Sequence, residues 1–315
     1  MIGVDLGGTK LLAGAVDERL DVHHRSVRPA PRESAHAVLD AVCEAVREAA
    51  AAAGAELLGV GVGIPSLIDQ TRGVAVHTVH LPLQDVAVRD VLTERLGVPV
   101  AVDNDGNCAM LAEHGHGAAS GADHALLLTL GTGIGGGIVV DGKLLRGSLG
   151  AAGELGHITV ERDGPPCPGN CPNHGCLEAV ASGPALGRLA LEAAALAPDS
   201  GLGRALAQGR EATGALVTEL AHDGDPGALG CLERMGRGLG VGIASLVNVF
   251  NPDVVVVGGG VIGAGELLLG PARSELARRA LSPSKDHVRV VPARFGAESG
   301  MLGAAVLALD AVRVA

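Results

Sequence analysis

The chain has 315 residues, of which 49 are Gly, two are aromatic (Phe250 and Phe295) and none is Trp or Tyr. Its 24 basic and 35 acidic side chains leave a net charge of −11, which opposes a phosphate backbone, and the missing aromatic planes exclude base-stacking platforms and sugar sites built on Trp or Tyr. A hydrophobic content of 47% over this length still supplies one or two cores made of Val, Leu, Ile and Ala.

The first residues, Met1-Ile2-Gly3-Val4-Asp5, carry no basic region and enter a strand pattern at once, so no signal peptide is expected. Every apolar run is broken by Gly or charge before the roughly 18 to 20 residues of a membrane span. The expected location is cytoplasmic, with no membrane partner. The opening strand leads into Gly7-Gly8-Thr9-Lys10, and this segment has a second copy. Gly7 falls on Gly131, 124 positions later, and Val4-Asp5-Leu6-Gly7-Gly8-Thr9 falls on Leu128-Thr129-Leu130-Gly131-Thr132-Gly133. Each copy reads strand, Gly/Thr turn, strand, polar turn, which predicts two related α/β halves facing a shared cleft.

Between the copies, Ser34 to Ala53 has helical spacing of Ala, Val and Leu, and Leu57 to Ile64 reads as a buried strand ending in Gly63-Ile64-Pro65-Ser66. Val88 to Leu96 is a helix closed by Gly97, a strand follows over Val98 to Val102, and Asp103-Asn104-Asp105 caps a helix from Gly106 to His116. After the second hairpin come a Cys/Pro/Gly loop, a mostly helical stretch from Leu177 to Phe250, a strand over Asp253 to Val257, and Gly258-Gly259-Gly260. A helix then starts near Gly265 and a last one near Ser299. The expected domains are a smaller one over 1–115, with the terminal helix 299–315 packed back on it, and a larger one over 116–298 that holds the Cys-rich loop.

Three glycine-rich stretches invite phosphate readings. Gly137 to Lys143 has Walker A spacing, but Leu144 stands where Mg²⁺ needs a hydroxyl, and the glycines lead into a strand. Gly131-Thr132-Gly133-Ile134-Gly135-Gly136 satisfies G-x-G-x-x-G, yet a β run follows rather than a helix, so it is a hairpin loop. Gly258 to Gly263 has the right strand and helix around it, but it comes late in the chain and lacks a following strand with a terminal acid. Read together, Gly7-Gly8-Thr9 and Gly131-Thr132-Gly133 can offer backbone N–H groups to one polyphosphate. Asp5 is placed to hold Mg²⁺ through water. Lys10 either neutralises phosphate or is a solvated strand residue. Asp105, where a buried strand meets a helix, is the candidate base for phosphoryl transfer to an alcohol, against the alternative that it only caps the helix. Cys167, Cys171 and Cys176, with His157 or His174 as the fourth ligand, make a closed tetrahedral set for a structural Zn²⁺. Cys43, Cys108 and Cys231 read as small apolar side chains.

Together these motifs resemble the ROK family of sugar kinases and repressors, most closely its glucokinase-like members, over essentially the whole chain. Asp5-Leu6-Gly7-Gly8-Thr9-Lys10 and Leu130 to Gly137 resemble the family's two phosphate motifs, and Gly63-Ile64-Pro65 with Asp69 its sugar-side loop, with Ser66 where many members have Gly. Asn104-Asp105 resembles the pair that binds sugar hydroxyls and supplies the base. Glu154-Leu155-Gly156-His157 and Gly175-Cys176-Leu177-Glu178 resemble the segments whose Glu, His and Glu grip the sugar, which makes His157 the implied fourth zinc ligand. Gly258, Gly259 and Gly260 fall where the family binds the adenosine end of ATP. The spacing Cys167-x3-Cys171 departs from the Cys-x-Cys of many members. Only four residues precede Asp5, so the helix-turn-helix of family repressors, and DNA as a partner, are not expected.

The resemblance implies an α/β, actin-like (ribonuclease H-like) duplicated two-domain fold with an interdomain cleft, and a homodimer or homotetramer. It also implies an ATP-dependent hexose kinase, most closely a glucokinase, that moves the γ-phosphoryl group of MgATP to the 6-hydroxyl of glucose. Kinases of N-acetylmannosamine, fructose or allose, a polyphosphate-dependent glucokinase, and a non-catalytic sugar sensor are the alternatives.

Overall fold

The computed structural model describes residues 1–54, 56–78, 81–169 and 171–314. Its first stretch runs β1 (Ile2–Leu6), β2 (Lys10–Val16), β3 (Val22–Pro29), α1 (Ala35–Ala53), β4 (Val60–Ile64), β5 (Ser66–Asp69), β6 (Val74–Thr78), α2 (Val88–Leu96), β7 (Val100–Asn104) and α3 (Asp105–His116). There follow β8 (Ala125–Leu130), β9 (Ile134–Val140), β10 (Lys143–Leu144), α4 (Leu177–Ala181), α5 (Gly183–Leu196), α6 (Gly201–Ala207), α7 (Gly214–His222) and α8 (Pro226–Phe250). The chain closes with β11 (Val254–Gly258), α9 (Glu266–Arg279), α10 (Ser284–His287), β12 (Arg289–Pro292) and α11 (Ser299–Val314). No helix among the described residues is long and apolar enough to cross a membrane.

Two five-stranded sheets share one plan. The first has the order β3-β2-β1-β4-β7 and the second β10-β9-β8-β11-β12. In each, antiparallel hairpin strands lie on one side of the opening strand and parallel strands on the other. The segments that match at an offset of 124 are thus the opening strands, β1 and β8, of two copies of the same sheet.

By contacts the chain forms two compact units, the first over residues 1–121, 137–153 and 297–315 and the second over 122–136 and 154–296. The expected larger domain, 116–298, thereby yields residues 116–121, 137–153 and 297–298 to the first unit. The physical ties of the 137–153 segment lie there. A Cβ on Gly137 would meet the Met110 side chain of α3 at 2.4 Å, and Arg146 pairs with Asp103.

In the first unit, β4 is buried at every position, as befits a central strand with neighbours on both edges. Helix α1 begins where Ser34 accepts the Ala37 N–H and ends at Gly54 in the left-handed region, and it buries Val38, Leu39, Val42, Cys43, Ala45, Val46 and Ala49 against the sheet core. Helix α11 lies so close to the sheet that a Cβ on Gly3 would stand 1.9 Å from the Met301 carbonyl oxygen, and one on Gly61 1.8 Å from that of Ala304. In the second unit a Cβ on Gly240 of α8 would come within 2.5 Å of the Ala272 carbonyl oxygen of α9. Much of the glycine content therefore serves close backbone approach rather than turns.

Two boundaries differ from the sequence reading in ways that matter. The strand expected over 98–102 is Val100–Asn104, so Asn104 both ends β7 and caps α3, and Asp105 is the first helical residue. The strand expected from Leu57 begins only at Val60.

Candidate active site

In the first unit the turn between β1 and β2 is closed by the Gly7 N–H donating to the Lys10 carbonyl at 2.8 Å. A Cβ on Gly7 would crowd that oxygen at 3.2 Å. The Arg32 guanidinium donates through Nε and Nη2 to the Gly8 carbonyl at 3.1 and 2.9 Å, and the Ala30 N–H to that of Thr9 at 3.1 Å. Thr9 and Lys10 are exposed. Arg32 was not among the expected site residues; it lies 24 positions from Gly8, where no local pattern can flag it.

Asp5, the next-to-last residue of β1, lies beside the first turn of α11, where a Cβ on Gly300 would lie within 3.0 Å of all three carboxyl atoms. Burial pushes the Asp5 carboxyl up to about 7, the charge of Asp105 adds to the rise, and Lys10 opposes it.

Asn104 and Asp105 stand together at the β7–α3 junction. The Asn104 side-chain oxygen accepts the N–H groups of Gly106 at 2.9 Å and Asn107 at 3.2 Å, while its Nδ2 reaches the Ser66 carbonyl at 3.4 Å. Asp105 accepts the Gly106 N–H at 2.9 Å. Burial raises its pKa, and hydrogen bonds from the backbone of Gly106 and Asp105 and from the Asn104 side chain hold the rise back. Gly63 packs below: a Cβ there would meet Cys108 Sγ at 3.2 Å and the Asp105 Cα at 3.5 Å. Cys108, like Cys43 and Cys231, is buried, and burial next to Asp103, Asp5 and Asp105 pushes its thiol well up, so it remains a neutral apolar group.

Behind this pair Asp103 is 1% exposed. Its Oδ2 accepts from Arg146 Nε at 2.7 Å, and its Oδ1 accepts from the Asn104 N–H at 2.8 Å and from Asn107 Nδ2 at 2.9 Å. The pairing of Asp103 with a residue 43 positions away was invisible in the sequence.

The second unit gathers the other glycine stretches. In the β8–β9 turn Gly131 N–H donates to the Gly133 carbonyl at 2.9 Å, and Gly183 N–H donates to the Gly131 carbonyl at 2.9 Å, tying the start of α5 to the turn. Thr132 is exposed at its tip. Gly258 ends β11, and Gly259, at φ +85°, packs where a Cβ would lie 2.3 Å from the Leu130 carbonyl oxygen. Gly260 opens a short 3-10 helix, Gly260–Ala264, ahead of α9. Glu178, in the first turn of α4, accepts the Ile134 N–H at 2.7 Å, and a Cβ on Gly133 would strike its Oε2 at 2.4 Å.

His157, Cys167, Cys171 and Cys176 bring one ligand atom each to within 4.8 Å of one another. Zn–S bonds of about 2.3 Å and Zn–N bonds of about 2.0 Å in a tetrahedron require S···S near 3.8 Å and N···S near 3.5 Å. Cys171 Sγ and Cys176 Sγ are 3.9 Å apart, and His157 Nδ1 and Cys167 Sγ 3.4 Å. The set fits zinc. His157 Nε2 faces the other way, 3.9 Å from Glu154 Oε2. His174 lies outside the cluster, with Nδ1 3.3 Å from the Gly164 carbonyl oxygen.

The ROK family model matches residues 1–311. The chain belongs to the ROK family. A glucokinase of Streptomyces coelicolor is 35% identical over 98% of this chain and 97% of that one. A glucokinase of Thermotoga maritima is 36% identical over 97% of this chain and 96% of its own. Among solved structures, a ROK family glucokinase from Streptomyces griseus in complex with glucose and AMPPNP is 36% identical, with a TM-score of 0.86 over 98% of this chain and 99% of that chain. The duplicated sheets are those of the two-domain, actin-like ROK fold.

Proposed function

We propose that this protein is an ATP-dependent glucokinase. The observation that carries the reading is Asp105: a carboxylate at the first residue of α3, desolvated enough to raise its pKa and fixed by the Gly106 N–H, in a chain of the same length and fold as known glucokinases. A carboxylate whose pKa is raised takes a proton from an alcohol more effectively than an ordinary surface carboxylate.

In this reaction Asp105 accepts the proton of the glucose 6-hydroxyl as that oxygen bonds to the γ-phosphorus of ATP. The bond from the γ-phosphorus to the β,γ-bridging oxygen breaks and ADP leaves. Asn104, Glu154, His157 and Glu178 bind the other sugar hydroxyls, with Gly63 giving the backbone room to approach. Gly7, Gly8, Thr9 and Lys10, with Gly131, Thr132 and Gly133, are the phosphate-binding residues, through backbone N–H, hydroxyl and ammonium donors. Gly258, Gly259 and Gly260 take the adenosine end. Asp5 is the residue that would hold Mg²⁺, which neutralises charge on the transferring phosphoryl group. A structural zinc held by His157, Cys167, Cys171 and Cys176 would fix the His157 ring so that Nε2 is left for the sugar.

The test is an ADP-release assay of the purified protein with glucose, mannose, N-acetylmannosamine, fructose and allose, and with polyphosphate in place of ATP. Glucose with ATP is expected to give the highest kcat/KM. A higher value for another sugar reassigns the acceptor, and no phosphorylation of any sugar overturns the kinase reading.

A further inference from the structure

The proposed reaction makes no use of Arg146 or of the cluster around Asp103. Asp103 is the next-to-last residue of β7 and takes three donors at 2.7 to 2.9 Å: Arg146 Nε, Asn107 Nδ2 and the backbone N–H of Asn104. Asn107 turns its amide NH₂ toward Asp103 and leaves its own buried Oδ1 without a hydrogen-bond partner among the described residues. The opposite orientation would set a carbonyl oxygen against a carboxylate, so the charge on Asp103 governs how its neighbours are arranged. Arg146 balances that charge, and its own loop is tied down where the Ala152 N–H donates to the Arg146 carbonyl at 3.0 Å and the Leu145 N–H to that of Ile138 at 2.8 Å.

We propose that Arg146 is a positioning residue for phosphoryl transfer. Through its ion pair it anchors Asp103, which holds the Asn104 backbone and so sets the direction from which the Asn104 side chain and the Asp105 carboxylate leave the β7–α3 junction. The proposal rests on the kinase reading of Asp105. Arg146 touches neither reactant, and removing it acts by letting the junction turn.

The experiment compares Arg146→Met, Arg146→Lys and the double variant Asp103→Asn/Arg146→Met with the full-length wild type by steady-state kinetics and by amide hydrogen exchange of residues 104–107. Arg146→Met is expected to speed exchange there by about tenfold and to lower kcat by about tenfold to hundredfold, with a smaller change in the KM for glucose. Arg146→Lys keeps the ion pair and restores both readouts to within about threefold of wild type. The double variant leaves no unpaired buried charge, so it folds even where Arg146→Met does not, and it carries the same loss of kcat. Wild-type exchange at 104–107 in the folded Arg146→Met or double variant overturns the proposal, whether or not the protein phosphorylates a hexose. So does faster exchange with a kcat within about twofold of wild type. Failure of the kinase reading is distinct: it shows as a wild-type protein without phosphotransfer, and exchange then decides the role of Arg146 at the junction.

Discussion

The Glu178 carboxylate and the Ile134 backbone are joined by a 2.7 Å hydrogen bond, with Gly133 so close to the same carboxylate that an added Cβ there would displace it. A residue proposed to bind sugar therefore also fixes the shape of a turn proposed to bind phosphate. Glu178→Ala should lower kcat/KM for glucose by at least about tenfold, roughly 1.4 kcal/mol, and should raise the KM for ATP as well. Steady-state kinetics with both substrates varied checks this. A KM for ATP equal to the wild-type value would show that the turn keeps its shape without the carboxylate.

Asp105→Asn preserves the side-chain shape and the Gly106 contact but removes the proton acceptor. The expected result is a loss of about 10²- to 10⁴-fold in kcat, with glucose affinity by calorimetry within a few fold of wild type. Turnover near the wild-type rate would return Asp105 to the role of a helix-start residue.

The duplicated plan was legible because a Gly/Thr turn between apolar strands occurs twice, and both copies became strand pairs at the head of matching sheets. The Cys cluster was legible from three thiols within ten residues; spacing alone left His157 and His174 open, and only the family resemblance pointed to His157, because the choice depends on which imidazole the loop turns inward. Asp103–Arg146 and Arg32–Gly8 escaped the sequence reading for one reason. Each joins residues 24 or more apart through a loop with no periodic pattern, and an arginine in such a loop reads as solvated. The extent of the first unit was missed on similar grounds. Gly137 and Arg146 follow a hairpin that repeats the first one, and only their packing on α3 and Asp103 assigns them elsewhere.

The paired carboxyls give the protein a defined response to pH. Asp5 is pushed up to about 7 from an ordinary value of 3.8, chiefly by burial and then by the charge of Asp105. Between those two values the native state binds the proton and the unfolded chain does not, so the contribution of Asp5 to stability is complete below the unfolded value and is lost as pH rises through the folded one. Without nucleotide or metal, the Tm of the wild type relative to Asp5→Asn should fall as pH is raised from about 4 to about 8. A difference that stays flat across this range would mean that Asp5 ionises normally. For the reaction, Asp105 must be ionised, and burial raises its pKa. The acid limb of kcat/KM should then lie above the usual carboxylate range, activity being lost as pH falls.

The zinc set ties stability to activity through one residue. His157 places Nδ1 3.4 Å from Cys167 Sγ and leaves Nε2 on the Glu154 side, so a metal held by this set would orient the ring that is proposed to meet the sugar. Burial pushes the Cys167 thiol far above its usual range, an effect that a bound cation reverses by favouring thiolate. Purified protein should contain one zinc per chain by elemental analysis. Cys176→Ser should release the metal, lower Tm and reduce kcat/KM for glucose by about tenfold to hundredfold. His174→Ala, which removes a contact to the Gly164 carbonyl, should keep both the metal and the activity. Loss of zinc from His174→Ala with retention in a His157→Ala variant would exchange the roles of the two histidines, and would detach the sugar-facing imidazole from the metal that is proposed to hold it.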